Sequence, residues 1–538
     1  MTIFTGYDFY YISGLYGFCC HLCHLEITQG FPANTGRLFS RGAFPYRDYH
    51  CRLFFLTNIS TEHLVGMNGS AYKNGAIIIA WEVTSALALI AAALYFAPRY
   101  LKMGLTTIPE FLEKRFDGLT RTLVALLLII SFVATLLPIV LYTGALNIEA
   151  IFGISELLQV SRAQGIWVTI LVVGGLGAAY AIFGGLKMVA YTDTINGFGL
   201  LVAGLMVPIL ALIGIGEGNP MNGLKAVFEN APEKFNVVSR ESGVGSGARS
   251  AILPFEVLFT GLMVNQVYFW TMHQSIIQRV LGAVSLKEAQ KGLLYTGFLK
   301  ILVPLIIVLP GLIGYYHFGE SLYDNPDNVY PMLVKMVLPA WLTGFFVAVM
   351  MGAILTTFNS ALNSAATVFS LGIFKRYIRT RASEKEMVRM GKWTSAILAF
   401  FAIGIAPFVA NAPEGLYQLL QQLNGIFFIP IASVILAGFL FPKVTATGAK
   451  MGLGFGLLFY VTTYYIFQVD LHFVHLWGIE FVLNIGVMHI FSRRLSGHTS
   501  FVPVDVGKVD LKPWKKAKAV SAILVVFTLI LYLFLGNV

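Results

Sequence analysis

Two groups of residues in this 538-residue sequence stand out for the chemistry they could do. The first is a run of hydroxyls and amides, AILTTFNSALNS from Ala353 to Ser364, inside a long apolar stretch. Within hydrocarbon such a patch must face protein, an ion or water. A small hard cation prefers oxygen ligands and can be held by carbonyls and hydroxyls alone. Thr356 and Thr357 could each offer a hydroxyl; by spacing alone, bonding back to their own helix is the competing reading. The second group is ionisable: Glu82 and Lys300 lie in apolar surroundings, where an unpaired charge is costly and a functional role is the default expectation. Lys300 has an alternative, extending its stem to the cytoplasmic surface.

The elements that must position these groups are helices in a bilayer. The chain is 57% apolar and only 12% charged, against about 45–50% and about 25% for soluble domains. Apolar runs longer than about 18 residues recur, each able to cross a layer of about 30 Å as a helix. Thirteen spans are expected, near 54–70, 75–98, 120–150, 163–185, 190–215, 252–273, 293–316, 330–372, 393–410, 416–441, 447–467, 470–491 and 518–536. A soluble multi-domain enzyme is excluded.

The net charge of +10 comes from short basic clusters between spans, which is how cytoplasmic loops look and is not a nucleic-acid surface. Arg99, Lys102, Lys114 and Arg115 follow the second span; Lys375, Arg376, Arg379 and Arg381 follow the eighth; Arg493, Arg494, Lys515, Lys516 and Lys518 precede or open the last. Simple alternation puts all of them on one side, the cytoplasmic one. Glu320, Asp324, Asp327 and the Gly/Asn/Ser-rich loop near 216–250 then fall outside. No Walker A motif is present, so ATP is not the expected energy source, which leaves an ion gradient or none. The first span carries Leu56, Thr57, Asn58, Ile59, Ser60, Thr61, Glu62 and His63, then Gly66 and Gly69. So many polar groups at membrane depth predict a broken helix that frees carbonyls for ions and substrates.

Taken together, NISTEHLVG in that span, YTD at Tyr191–Asp193, SIIQR at Ser275–Arg279, EAQKG, FLK at Phe298–Lys300 and TTFNSALNSAATVFS resemble the sodium/solute symporter family, nearest its sodium/glucose branch. The resemblance covers about residues 54–538. It implies an all-α polytopic fold of LeuT type, with two five-helix repeats of inverted topology, about 54–215 and 252–441, and fourteen helices in all. It implies sodium held by carbonyls of Leu56, Ile59 and Ala353 and hydroxyls of Thr356 and Thr357, and a sugar site at His63, Glu82, Ser85, Lys300 and Gln421. Phe269 and Trp270 match an aromatic gate, or are packed membrane aromatics. Asp193 matches an acidic residue on the sodium exit path, or pairs with Lys187 in a loop. His63 stands where this branch usually has Gln, and Phe269 where Tyr is common; a histidine still donates and accepts, and adds pH sensitivity near neutrality.

Residues 1–53 do not fit this pattern. Cys19, Cys20, His21, Cys23, His24, His50 and Cys51 are metal-ligand types, but beyond one CxxC their spacing matches no zinc pattern. Codons permitted for Gly36 to Arg52, read one nucleotide later, spell GDYFLAGRFLIAITIAG, which resembles the family's lead into its second helix. An out-of-frame stretch replacing the first helix is therefore expected, with 54–491 the transporter core and following helices, 492–517 a cytoplasmic basic loop and 518–538 the last span. The implied activity is import of a small polar solute, a sugar foremost, coupled to sodium across the plasma membrane, in bacteria the inner membrane. Other solutes of the same class (an organic acid, amino acid or vitamin) stay open. A membrane sensor is disfavoured because the loop from Arg493 to Lys516 is too short for a signalling domain, and an enzyme because no HExxH or nucleophile elbow is present.

Overall fold

A computed structural model describes residues 59–239, 244, 253–410, 415–494, 501, 504–507 and 509–536; within these, the side chains of 184–194 and 494 are not described. The cysteine/histidine cluster, the out-of-frame stretch and Leu56 fall outside the described residues. The described chain is helical. α1 runs as a wide turn over Glu62–Met67 and an α-helix over Asn68–Asn74. After it come α2 (Ala76–Met103), α3 (Gly118–Phe152), α4 (Arg162–Phe183) and α5 (Ile195–Ile215). The second half holds α6 (Gly261–Thr271), α7 (Leu286–Leu302 with Pro304–Phe318), α8 (Ala340–Ile378), α9 (Glu384–Ala410) and α10 (Leu416–Leu440). The chain then continues through α11 (Ala446–Tyr460), α12 (Phe473–Arg494) and α13 (Ala517–Leu535).

Among the described residues nine helices are long and apolar enough to cross a membrane, ten with the bent α7. Among the described residues, α1 and α6 are shorter than a full span. Several boundaries differ from the apolar runs, each for a local reason. The eighth span was expected from 330; instead a short helix, Val329–Val337, ends at Leu338 in extended backbone and α8 starts after Pro339. Proline has no N–H to donate and biases its predecessor away from the helix. Pro304 likewise accompanies the 41° bend in α7. The predicted fourth and fifth spans appear as Arg162–Phe183 and Ile195–Ile215, and the backbone between them is also helical. The two halves nevertheless pack on one helix: Gly177 abuts Leu355 and Phe358, and Gly199 abuts Val349. Twenty-two residues of straight helix would separate them by about 33 Å, far more than the rise from 349 to 358, so the chain does not run straight from α4 to α5.

The loops sort onto two faces. On the basic face Glu113, before α3, is clamped by Arg121 and by Arg376 at the end of α8, and Arg121 also reaches the Leu371 carbonyl at 2.8 Å. Lys450 of α11 pairs with Asp117, the N-cap of α3, at 2.6 Å. Arg115 donates to the carbonyls of Gly438, Phe441, Pro442 and Val444 at 2.9–3.0 Å, closing the end of α10. The opposite face gathers Lys234, bonded to the Lys73 carbonyl at 2.7 Å, and Arg162, bonded to Asn328 at 2.7 Å. These contacts agree with the alternation read from the loop charges.

On that outer face Asp327 caps α10: its carboxylate accepts the Leu416 N–H at 3.1 Å, while its other oxygen has no partner. Burial pushes the Asp327 carboxyl from 3.8 up to about 7, with the Leu416 amide pulling the other way. A folded state that keeps a proton the unfolded chain releases loses stability as pH rises from 3.8 to about 7 and levels off above. Asp327→Asn keeps an acceptor for Leu416 and removes the titration. Its melting temperature, followed in detergent across that pH window, is expected to fall with a slope roughly half that of the parent or less; an unchanged slope refutes the assignment.

Candidate functional site

Between α1, α2, α6, α7, α8 and α10 lies a cavity of about 940 Å³, open solvent at its mouth included. Its organising feature is a chain of ionisable side chains. Glu62, on the first turn of α1, accepts from Ser60 and lies 3.5 Å from His63 Nδ1. His63 Nε2 lies 3.6 Å from one oxygen of Glu82 in α2, and the other oxygen takes Lys300 Nζ from α7. Lys300 is 1% exposed and its ammonium sits 5.1 Å from the centre of the Trp270 ring in α6. Lys300 therefore does not snorkel: it is inside, paired, over an aromatic face.

The irregularity of α1 and α2 positions these groups. The wide turn of α1 brings Glu62 and His63 to adjacent places on the wall. In α2 the helix is interrupted at Thr84, and the Ser85 hydroxyl donates to the Glu82 carbonyl across that break. Gln266 of α6 donates to the Trp81 carbonyl at 2.5 Å. Each contact holds a carboxylate-bearing segment away from ideal helix geometry.

The structure brings His63, Glu82, Lys300, Gln421, Phe269, Trp270 and Thr357 to this one wall. Ser85 is buried behind Glu82 and does not line the cavity. Ile59 and Ala353 are buried, 2% exposed each. The Thr356 hydroxyl donates to the Ala353 carbonyl at 3.1 Å, the back-bonding that spacing alone favours, whereas the buried Thr357 hydroxyl has no hydrogen-bond partner. Asp193 lies on helical backbone, but its side chain is outside the described set. Phe269 stacks on His273 with ring centres 5.2 Å apart.

Sequence reasoning assigned no role to several lining residues: Glu62, Asn265, Gln266, Arg279, Tyr417 and Asn424. A signal existed for some. Asn265 and Gln266 are adjacent amides in an apolar run, and Arg279 closes the quoted SIIQR, where its guanidinium now bonds Ser360 Oγ of α8 at 2.9 Å. Tyr417 had none: it reaches the wall because α10 packs on Gly66 of α1, where any side chain would meet the Tyr417 backbone at 3.0 Å.

Comparison with known proteins identifies the family and the fold. The model of the sodium:solute symporter family matches residues 53–456. An uncharacterized symporter, YidK of Escherichia coli strain K12, is 43% identical over 87% of this chain and 80% of its own length. The sodium/glucose cotransporter of Vibrio parahaemolyticus is 34% identical over 73% of both chains. The mouse sodium/myo-inositol cotransporter is 28% identical over 74% of this chain and 58% of its own. Among solved structures, a sodium-coupled sialic acid symporter in a substrate-bound, outward-open state superposes with a TM-score of 0.77 at 19% identity, covering 93% of this chain and all of that one. That likeness establishes the LeuT-type architecture of inverted five-helix repeats.

Breaking a buried ion pair by removing one partner costs about 3–5 kcal/mol, because the other charge is left in a dry site. Lys300→Met is accordingly expected to lower thermal stability sharply, measured by size-exclusion monodispersity after heating. Adding Glu82→Gln to Lys300→Met should recover most of the loss. Equal damage from the single and double variants shows that the pair does not carry that energy.

Proposed function

The chain belongs to the sodium:solute symporter family, and from that premise we propose that the solute it moves with sodium is a neutral polyol of sugar size, imported across a bacterial plasma membrane. The charge balance of the cavity wall carries this reading. Two carboxylates, Glu62 and Glu82, face two cations, Lys300 and Arg279. Lys300 is engaged by Glu82, and Arg279 by Ser360 and the Ser275 carbonyl. An acidic solute needs a surplus cation to offset its desolvation, and this wall has none. What remains is hydrogen-bonding capacity: His63, Gln421, Asn265 and Asn424 can each donate and accept, which suits alternating hydroxyls. Phe269 and Trp270 present aromatic surface suited to the apolar face of a pyranose. The sugar and inositol cotransporters among the relatives support the same class.

For sodium, the reading takes carbonyls of Leu56, Ile59 and Ala353 with hydroxyls of Thr356 and Thr357. The Ala353 and Thr356 oxygens are 3.1 Å apart, a spacing that two neighbouring ligands of one hard cation can have. The unpaired Thr357 hydroxyl supplies a further acceptor. Asp193 then lies on the ion's inward path. An ion bridging α1 and α8 favours the conformation in which both helices contribute, and its loss releases that preference. This is how a gradient drives alternating access.

The test is uptake of radiolabelled hexoses and inositols into vesicles carrying the full chain, with and without an inward sodium gradient. Sodium-stimulated uptake of at least one polyol is expected; stimulation confined to acids or amino acids overturns the solute assignment. Thr357→Ala should raise the sodium half-saturation about tenfold or more, since a hydrogen-bonding partner of a charged group is worth about 1.5–3 kcal/mol, and leave the solute half-saturation within about twofold. Gln421→Ala should do the reverse. Equal effects of the two variants on both constants contradict the division of the site.

A further inference from the structure

Behind the cavity wall, the seam between α10, α11 and α12 holds a carboxyl group that the transport site does not use. Trp477, Glu480, Asn484 and Met488 recur along one face of α12, all fully buried. They are seated by glycines of α11: a side chain at Gly452 would meet Met488 at 2.5 Å, and one at Gly456 would meet the Asn484 amide nitrogen at 2.6 Å and Glu480 Oε1 at 2.9 Å. The backbones approach closely there, and no room is left for solvent.

No hydrogen bond of good geometry reaches either oxygen of Glu480, although the Asn484 amide lies beside it, and none reaches Asn484 Oδ1. The Asn484 nitrogen is engaged, donating to Ser433 Oγ of α10 at 3.2 Å; Ser433 itself donates to the Ile429 carbonyl at 2.8 Å. Glu480 Oε1 and Asn484 Oδ1 each come within 2.9 Å of the same point, the Cβ position that Gly456 lacks. The surroundings supply no counter-charge. From α11, Tyr460 donates to the Gln422 carbonyl at 3.1 Å. On α12 itself, His475 turns to Thr260 at 3.2 Å and His489 to the Ile485 carbonyl at 2.8 Å. From α6, Gly261 packs on Val474 and Trp477, and Tyr268 faces His273 and Phe428. Among the described residues no lysine, arginine or histidine pairs with Glu480.

A carboxylate with no donor and no cation, in a dry seam at membrane depth, is the least favourable of its states. A carboxylic acid is different: it is neutral, and it brings one donor into a place that has an unused acceptor one turn away. We propose that Glu480 is a proton-binding site, separate from the sodium and solute sites, in which the acid O–H is donated to Asn484 Oδ1. A proton fits better than a metal cation because the two Glu480 oxygens and Asn484 Oδ1 are the only unsatisfied oxygens identified in the seam among the described residues, fewer than the six to eight a hard cation such as calcium takes. The site lies against α10 at Gly425 and Ser433, while the same helix presents Gln421 and Asn424 to the cavity. Loss of the proton puts a charge into the seam on which that helix rests. The proposal does not depend on the identity of the solute.

Infrared spectroscopy of the full chain in vesicles at neutral pH, in choline chloride without sodium, tests it. The carbonyl-stretch band of a protonated carboxylic acid is expected in the parent and in Glu62→Gln, and is expected to lose intensity in Glu480→Gln, whose amide mimics the neutral acid and should melt within a few degrees of the parent. A band of undiminished intensity in Glu480→Gln overturns the proposal. Disappearance of the band in the parent on replacing choline by sodium does so too, since it shows sodium to be the occupant. Should Glu480→Gln fail to fold, Asn484→Leu removes the acceptor and must shift the same band; an unmoved band is a refutation.

Discussion

The buried chain Glu62, His63, Glu82, Lys300 is the constraint around which the rest of this molecule is arranged. Glu82 is neutralised there by Lys300, with His63 and Glu62 set beside it, and these contacts tie α1, α2 and α7 together at one level. The irregular segments lie at these contacts. Glu62 and His63 sit on the wide turn of α1, and Glu82 sits just before the break at Thr84, with the Ser85 hydroxyl on its carbonyl. Local helix geometry is given up where the charges have to meet, and is close to ideal elsewhere.

The same economy of charge separates the two ends of the protein from its middle. On the basic face, ion pairs such as Glu113 with Arg376 join the segment before α3 to the end of α8; on the outer face the ties are mostly hydrogen bonds to backbone, as from Asp327 to Leu416. Near the surfaces these links are solvated in part and can form and break at modest cost. In the middle they cannot. A rocking motion about the cavity therefore has fixed points at the buried chain and labile ones at the rims, which is the distribution that alternating access of a LeuT-type fold requires. The dry seam around Glu480 belongs to the fixed part, and its proton is the neutral solution to a charge with no partner.

His63 occupies the most consequential position in that chain, flanked by a carboxylate on each side. Its imidazole offers one donor and one acceptor at that position. It lines the cavity between the two carboxylates of the wall.

What the sequence determined by itself was set by the solvent. Apolar runs of span length can only be helices in hydrocarbon, so the all-α polytopic class and the order of the spans were legible, and loop lysines and arginines sorted the two faces. Glu82 and Lys300 were marked because isolated charge in such runs is costly, and Thr356 and Thr357 because hydroxyls there need partners. The tertiary structure alone decided which partners they found. Thr356 turned to Ala353 while Thr357 did not; Lys300 went inward to Glu82 and not to the surface; Ser85 was drawn behind Glu82; Glu62, Tyr417 and Arg279 joined the wall from positions with no periodic signature. These outcomes depend on where glycines such as Gly66 and Gly456 allow backbones to approach and on where Pro304 and Pro339 interrupt helices. Hydropathy reports transfer from water for each residue separately, whereas pairing depends on distances between helices that only packing sets.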